Sequence, residues 1–143
     1  MTMLLADAVR VAVGKLYILG GGWSITGPEP VPMAIAIKFD VPWHEAGRDH
    51  EWELSLLDAD GRPVLCAAHD EHPVRHAGSF HAHRPRGARP GISLDVPLAV
   101  DLGTVTVPPG GRYVWKLTVD GVGQESWQVA FTCRPTPAAP AAE

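Results

Sequence analysis

The sequence predicts an all-β protein, an antiparallel sandwich of the immunoglobulin-like or C2-like kind with about eight or nine strands. Three observations carry this expectation. Apolar residues recur with a period of two, as in half-buried strands, and no segment holds a helical period over three turns. Glycine (15) and proline (14) together make about a fifth of the 143 residues, well above the roughly 12% of average usage. Turn-forming pairs separate the apolar runs, the spacing expected of two packed antiparallel sheets.

Taken in order, residues 16–19 predict a short strand that ends at Gly20-Gly21-Gly22. Three glycines in a row there imply a bulge or a close backbone crossing. Val31, Met33, Ile35, Ile37, Phe39 and Val41 then alternate with Ala34, Ala36, Lys38 and Asp40. Trp52, Leu54 and Leu56 alternate with Glu51, Glu53 and Ser55, and Ile92, Leu94, Val96 and Leu98 with Ser93 and Asp95. Tyr113, Trp115, Leu117 and Val119 form the next apolar face, and Trp127, Val129, Phe131 and Cys133 the last. Asp60-Gly61 and Asp120-Gly121 supply the positive φ angles of tight hairpins, predicted over 51–68 and 112–133. Residues 69–91 read as a long irregular surface connection. A single domain is expected over 1–133, followed by a flexible Pro/Ala-rich tail over 134–143.

Composition narrows the function. Twelve basic against 16 acidic residues leave a net charge of -4, which opposes a nucleic-acid clamp. No run approaches the ~20 apolar residues of a membrane span. The first 13 residues lack a basic n-region, and Asp7 and Arg10 interrupt any apolar core, so no signal peptide is expected. The expected location is the cytoplasm, or a virion if the chain is phage-encoded. Two cysteines, Cys66 and Cys133, fit a reducing compartment and read as buried small hydrophobes.

Five of the seven histidines crowd one segment: His69, His72, His76, His81 and His83, with Asp70 and Glu71 among them. In an extended segment His81 and His83 share a face, so the candidate ligands of a metal site are His81, His83 and His72, with His69 or Glu71 in reach. A cupin needs a downstream glutamate and a further histidine, and neither is present. The plainer reading of the segment is a solvated loop of titrating histidines. Other chemistries lack their motifs. Gly14-Lys15 is followed by Leu16 where a phosphate loop needs Ser or Thr. No Gly-x-Ser-x-Gly elbow occurs. Asp58-Ala59-Asp60 has its explanation in a hairpin turn rather than in calcium. Trp52, Trp115 and Trp127 fall on apolar strand faces and read as core. Trp23 and Trp43 border turns and are the candidate interface residues.

Leu4-Leu5-Ala6-Asp7-Ala8-Val9-Arg10, with Gly14-Lys15-Leu16-Tyr17-Ile18-Leu19-Gly20-Gly21-Gly22-Trp23, resembles a family of small bacterial proteins of unknown function. That family is frequent in actinobacteria and occurs in some of their phages. The stretch from Pro108-Pro109-Gly110-Gly111-Arg112-Tyr113 to Val119-Asp120-Gly121 is similar to the same family's last hairpin. The resemblance implies a compact sandwich protein with no assigned reaction and no catalytic residues. The expected function is a non-enzymatic interaction or structural module that works through a protein partner or self-association, a particle or phage component being one form. No catalytic residue and no cofactor is expected. The alternative is a small-ligand or metal-binding protein, or an enzyme, that uses the 69–83 histidines.

Overall fold

The computed structural model describes residues 1–66, with the Cys66 side chain left out, and 72–138. Within them the chain is all-β, with two main sheets around one core. The first sheet has the order β2-β1-β4-β9, from Lys15–Gly21, Thr2–Ala12, Val31–Val41 and Leu94–Val105. The second has the order β3-β11-β10-β5-β8, from Ile25–Thr26, Val122–Cys133, Arg112–Val119, Asp49–Asp58 and Arg75–His81. A small ladder joins β6 (Leu65–Cys66) to β7 (His72–Pro73). Only β3 runs parallel to its neighbour. Trp43–Glu45 forms a single 3-10 turn, and no helix among the described residues is long and apolar enough to cross a membrane.

Alternation places the core. Met33, Ile35, Ile37 and Phe39 of β4 meet Leu54 and Leu56 of β5, Trp115 and Leu117 of β10 and Phe131 of β11 in one buried cluster. Trp115 and Phe131 are its largest fully enclosed side chains. At the far end the Tyr113 hydroxyl donates to the Pro108 carbonyl at 2.6 Å and straps the 108–111 turn to β10.

Several expectations change. There are more strand segments than eight or nine, because two-residue pieces at β3, β6 and β7 carry no readable period. The longest addition is β1, eleven residues paired with both β2 and β4. Its central residues Leu5 and Ala6 are both fully buried, which breaks the alternation that would have shown it. The 51–68 hairpin does not form as a long ladder. The Asp60-Gly61 turn is present, with Asp60 and Arg62 N–H groups donating to Asp58 Oδ1 at 2.9 Å. Beyond it, among the described residues, β5 and the returning chain share only a Leu57–Pro63 bridge. The Leu56 N–H donates instead to the Val74 carbonyl at 3.1 Å, and Val74, whose own N–H donates to the Val64 carbonyl, wedges between the two segments. The long partner of β5 is β8, with Asp49 opposite His81 and Ser55 opposite Arg75. Seven of the 23 residues expected to form an irregular connection, Arg75–His81, are therefore an edge strand.

Ile92 lies before β9, in a turn and 53% exposed, and the strand runs on to Val105. The hairpin at Asp120-Gly121 forms as expected, with φ 52° and 77°. Arg134 to Ala138 lie exposed outside any element, and the rest of the expected tail, 139–143, falls outside the described residues.

Candidate interaction surface

Three places merit attention: the histidine segment, a cleft at one end of the core, and the β1–β2 hairpin. The pairing of β8 with β5 brings His81 Nδ1 to 2.7 Å from Asp49 Oδ1. Ala82 turns fully inward, so His81 and His83 both face out, with ring centroids 4.3 Å apart. His72 lies before the other end of β8, and six residues of strand separate those ends by roughly 20 Å. The fold thus brings His81 and His83 together and leaves His72 apart. Among the described residues no three His, Cys, Asp or Glu side chains are arranged to hold a metal. His69, Asp70 and Glu71 fall outside the described residues. His76 points the other way, its ring 5.9 Å from that of Trp115, and burial pushes its pKa down.

The cleft, about 480 Å³, opens where the ends of β4, β5 and β8 meet the β10–β11 turn. Phe39 stacks on Phe80 at 4.4 Å, and Phe80 on His50 at 5.2 Å. His50 is the one buried polar residue among those described. Its Nε2 lies 2.8 Å from the Glu45 carbonyl, which can only accept, so Nε2 is the donor there. Its Nδ1 lies 2.7 Å from Asp120 Oδ2, while the Glu51 N–H donates to Oδ1 at 2.9 Å. That backbone bond, then the His50 bond, holds the Asp120 carboxyl below the usual carboxylate range. Although a His–Asp pair resembles a catalytic dyad, both ring nitrogens are engaged. His50 has no free nitrogen with which to abstract a proton. The other charges along the cleft are paired too: Asp40 with the Met1 amine at 2.8 Å and with Lys38, and Glu45 with Arg48. Sequence reasoning missed His50, although it occupies the inward position preceding Trp52, Leu54 and Leu56.

The hairpin differs from both. β1 and β2 pair from Ala6–Gly21 to Ala12–Lys15 and run on past the core as an arm. Tyr17 is 55%, Leu19 70% and the tip residue Val13 93% exposed, with Val11 and Ile18 near 40%. At the root Gly20 and Gly22 have φ of 59° and 89°, and a Cβ added to Gly21 would meet the side chains of Ile18 at 2.5 Å and Leu4 at 3.0 Å. The glycines there make room for side chains and not for a crossing backbone. The signal for this surface lay in the sequence as four consecutive apolar residues, 16–19, which leave no polar face to a strand.

The candidate interface residues sit elsewhere. Trp23 is half-buried with an edge-on contact to Phe131 at 6.3 Å. Trp43 packs against the core and lies under the Arg84 guanidinium, 4.7 Å from its ring. Cys133 is buried, as expected.

A family model described as a family of unknown function, DUF6941, matches residues 1–132. The chain belongs to that family. The DUF6941 match spans both sheets, the cleft and the arm, and stops one residue short of the end of β11. No curated protein and no solved structure matches the chain.

Proposed function

We propose that this DUF6941 chain is a non-enzymatic interaction module, a β-sandwich of the immunoglobulin-like or C2-like kind that works through protein–protein contacts or self-assembly. Assembly into a larger particle, such as that of an actinobacterial phage, is one form of this role. The observation that carries the reading is the β1–β2 arm, whose exposed apolar residues lie together on one projecting hairpin. Roughly 500 Å² of apolar side chain is exposed there over the two faces of the ribbon, Tyr17 and Leu19 on one and Val11 and Ile18 on the other. The saturated His50–Asp120 pair supports the non-enzymatic part. The test is a chain carrying Val13→Asp and Leu19→Asp, compared with wild type by solution mass and by cross-linking in an extract of the source cells. Wild type should form a higher-mass species that the variant loses at unchanged circular dichroism. A wild-type chain that is strictly monomeric and cross-links to nothing overturns the reading.

A second reading, a metal- or ligand-binding role, rests on the adjacency of His81, His83 and Asp49. It requires stoichiometric metal in the native protein that a His81→Ala, His83→Ala variant loses; a metal-free native protein removes it.

A further inference from the structure

The edges of the two sheets are not alike. β9 carries Asp95, Pro97 and Asp101, β8 carries Arg75 and its histidines, and β3 is only two residues long. Charges, prolines and shortness are the usual means of keeping an edge from pairing with another chain. β2 has little of this: seven residues with no proline, one charge, Lys15, at its first position, and a positive-φ kink at Gly20 near its end. It is the outermost strand of its sheet.

The tip adds an independent sign. Val13 and Gly14 have φ of 51° and 69°, the same kind of two-residue turn as Asp120-Gly121. A β-branched residue is a poor choice for positive φ, where Asn or Asp is favoured. Val13 thus combines a disfavoured backbone conformation with an almost wholly exposed apolar side chain.

We propose that two copies of this chain pair β2 against β2 in antiparallel register about a two-fold axis at Ile18, which joins their four-stranded sheets into one. The inference rests on the interaction-module reading and names its partner as a second copy. Counting outward from the axis, Tyr17 falls opposite the partner's Leu19 and Leu16 opposite the partner's Gly20, so bulky side chains meet apolar or empty positions. Lys15 falls opposite the partner's Gly21, and the two ammonium groups lie at opposite ends of the ladder, whereas a parallel pairing would set them side by side. Over both faces the two arms expose roughly 1,000 Å² of apolar side chain, and the pairing covers the part of it that flanks the β2 edge.

Sedimentation or light scattering of wild type against concentration should show a dimer. Ile18→Lys sets two like charges on the axis and should raise the dissociation constant at least about tenfold, with unchanged circular dichroism. Leu19→Glu is the second variant should that one misfold. Ile18→Cys should cross-link under oxidation, because opposed residues lie about 4.5–5.5 Å apart between Cα atoms, within disulfide reach. Lys15→Cys should not, since its copies stand roughly 20 Å apart. Val13→Asn should weaken the dimer while raising the thermal midpoint of the monomer. A monomeric wild type at ~100 μM, above the micromolar range of weak association, overturns the inference, as does a dimer that survives both charge variants or cross-links through position 15. In an extract, capture that the Val13→Asp, Leu19→Asp variant loses leaves the broader reading standing even when the dimer fails.

Discussion

His50 and Asp120 show how one residue pair can look catalytic and serve as a strut. The pair ties the start of β5 to the turn between β10 and β11, with the imidazole held on both nitrogens. Asp120→Asn keeps a side chain that tolerates φ of 52° and removes only the charge. It should destabilise the fold by about 1–2 kcal/mol at neutral pH, the worth of a hydrogen bond to a charged group reduced by the solvent that reaches the carboxylate. Because the folded-state pKa of Asp120 is depressed, its stabilisation is complete above pH 4 or so and disappears as the pH falls through the folded value. Denaturant midpoints of wild type and Asp120→Asn should therefore differ at pH 7 and converge in acid. A constant gap across that range would exclude the charge as the cause.

Among the elements, β8 explains most of what the sequence concealed. Its inward positions are His76, Gly78 and Phe80, so the apolar alternation has a polar ring at one place and a gap at the next. The Trp52 indole, directly across on β5, lies over the gap; an added Cβ at Gly78 would sit 2.8 Å from its ring. Gly78→Ala should thus overpack the edge of the second sheet and cost about 1–3 kcal/mol, read as a fall in thermal midpoint. If Gly78→Ala is neutral, the indole does not occupy that space. The strands that could be read in advance, β4, β5, β10 and β11, keep a clean period of two because one face meets the core and the other meets water or small side chains. β1 was hidden for the opposite reason: between two neighbours, Leu5 and Ala6 are both enclosed. The histidine pair 81/83 was legible from alternation alone, whereas the distance of His72 depended on a pairing of β5 with β8 that no local pattern announces.

At the scale of the whole molecule, the contrast between its sheet edges is a testable property. Lys38 binds Asp95 and Asp40, each at 3.1 Å, and this charged cluster with Pro97 guards the β9 edge. Replacing Asp95 and Pro97 by valine should give the first sheet a second sticky edge and convert a defined assembly into open-ended aggregates, since two unlike edges no longer close on themselves. Light scattering that stays at the wild-type mass would show that β9 is protected by something else. The arm could be seen in the sequence only as an oddity, four apolar residues in a strand with nothing to cover them. Its meaning depends on β2 being outermost, which is set by long-range pairing of β1 with β4.

The contact between His76 and Trp115 also gives the protein an optical readout. A protonated imidazole quenches a neighbouring indole, and these rings lie 5.9 Å apart with Trp115 wholly enclosed. Burial delays that protonation to pH values below the ordinary 6.5 of histidine. The tryptophan emission should accordingly dim on acidification, and a Trp115→Phe substitution should abolish the change. The folded core then reports its own acidity, and the light it emits follows the second sheet without any added label.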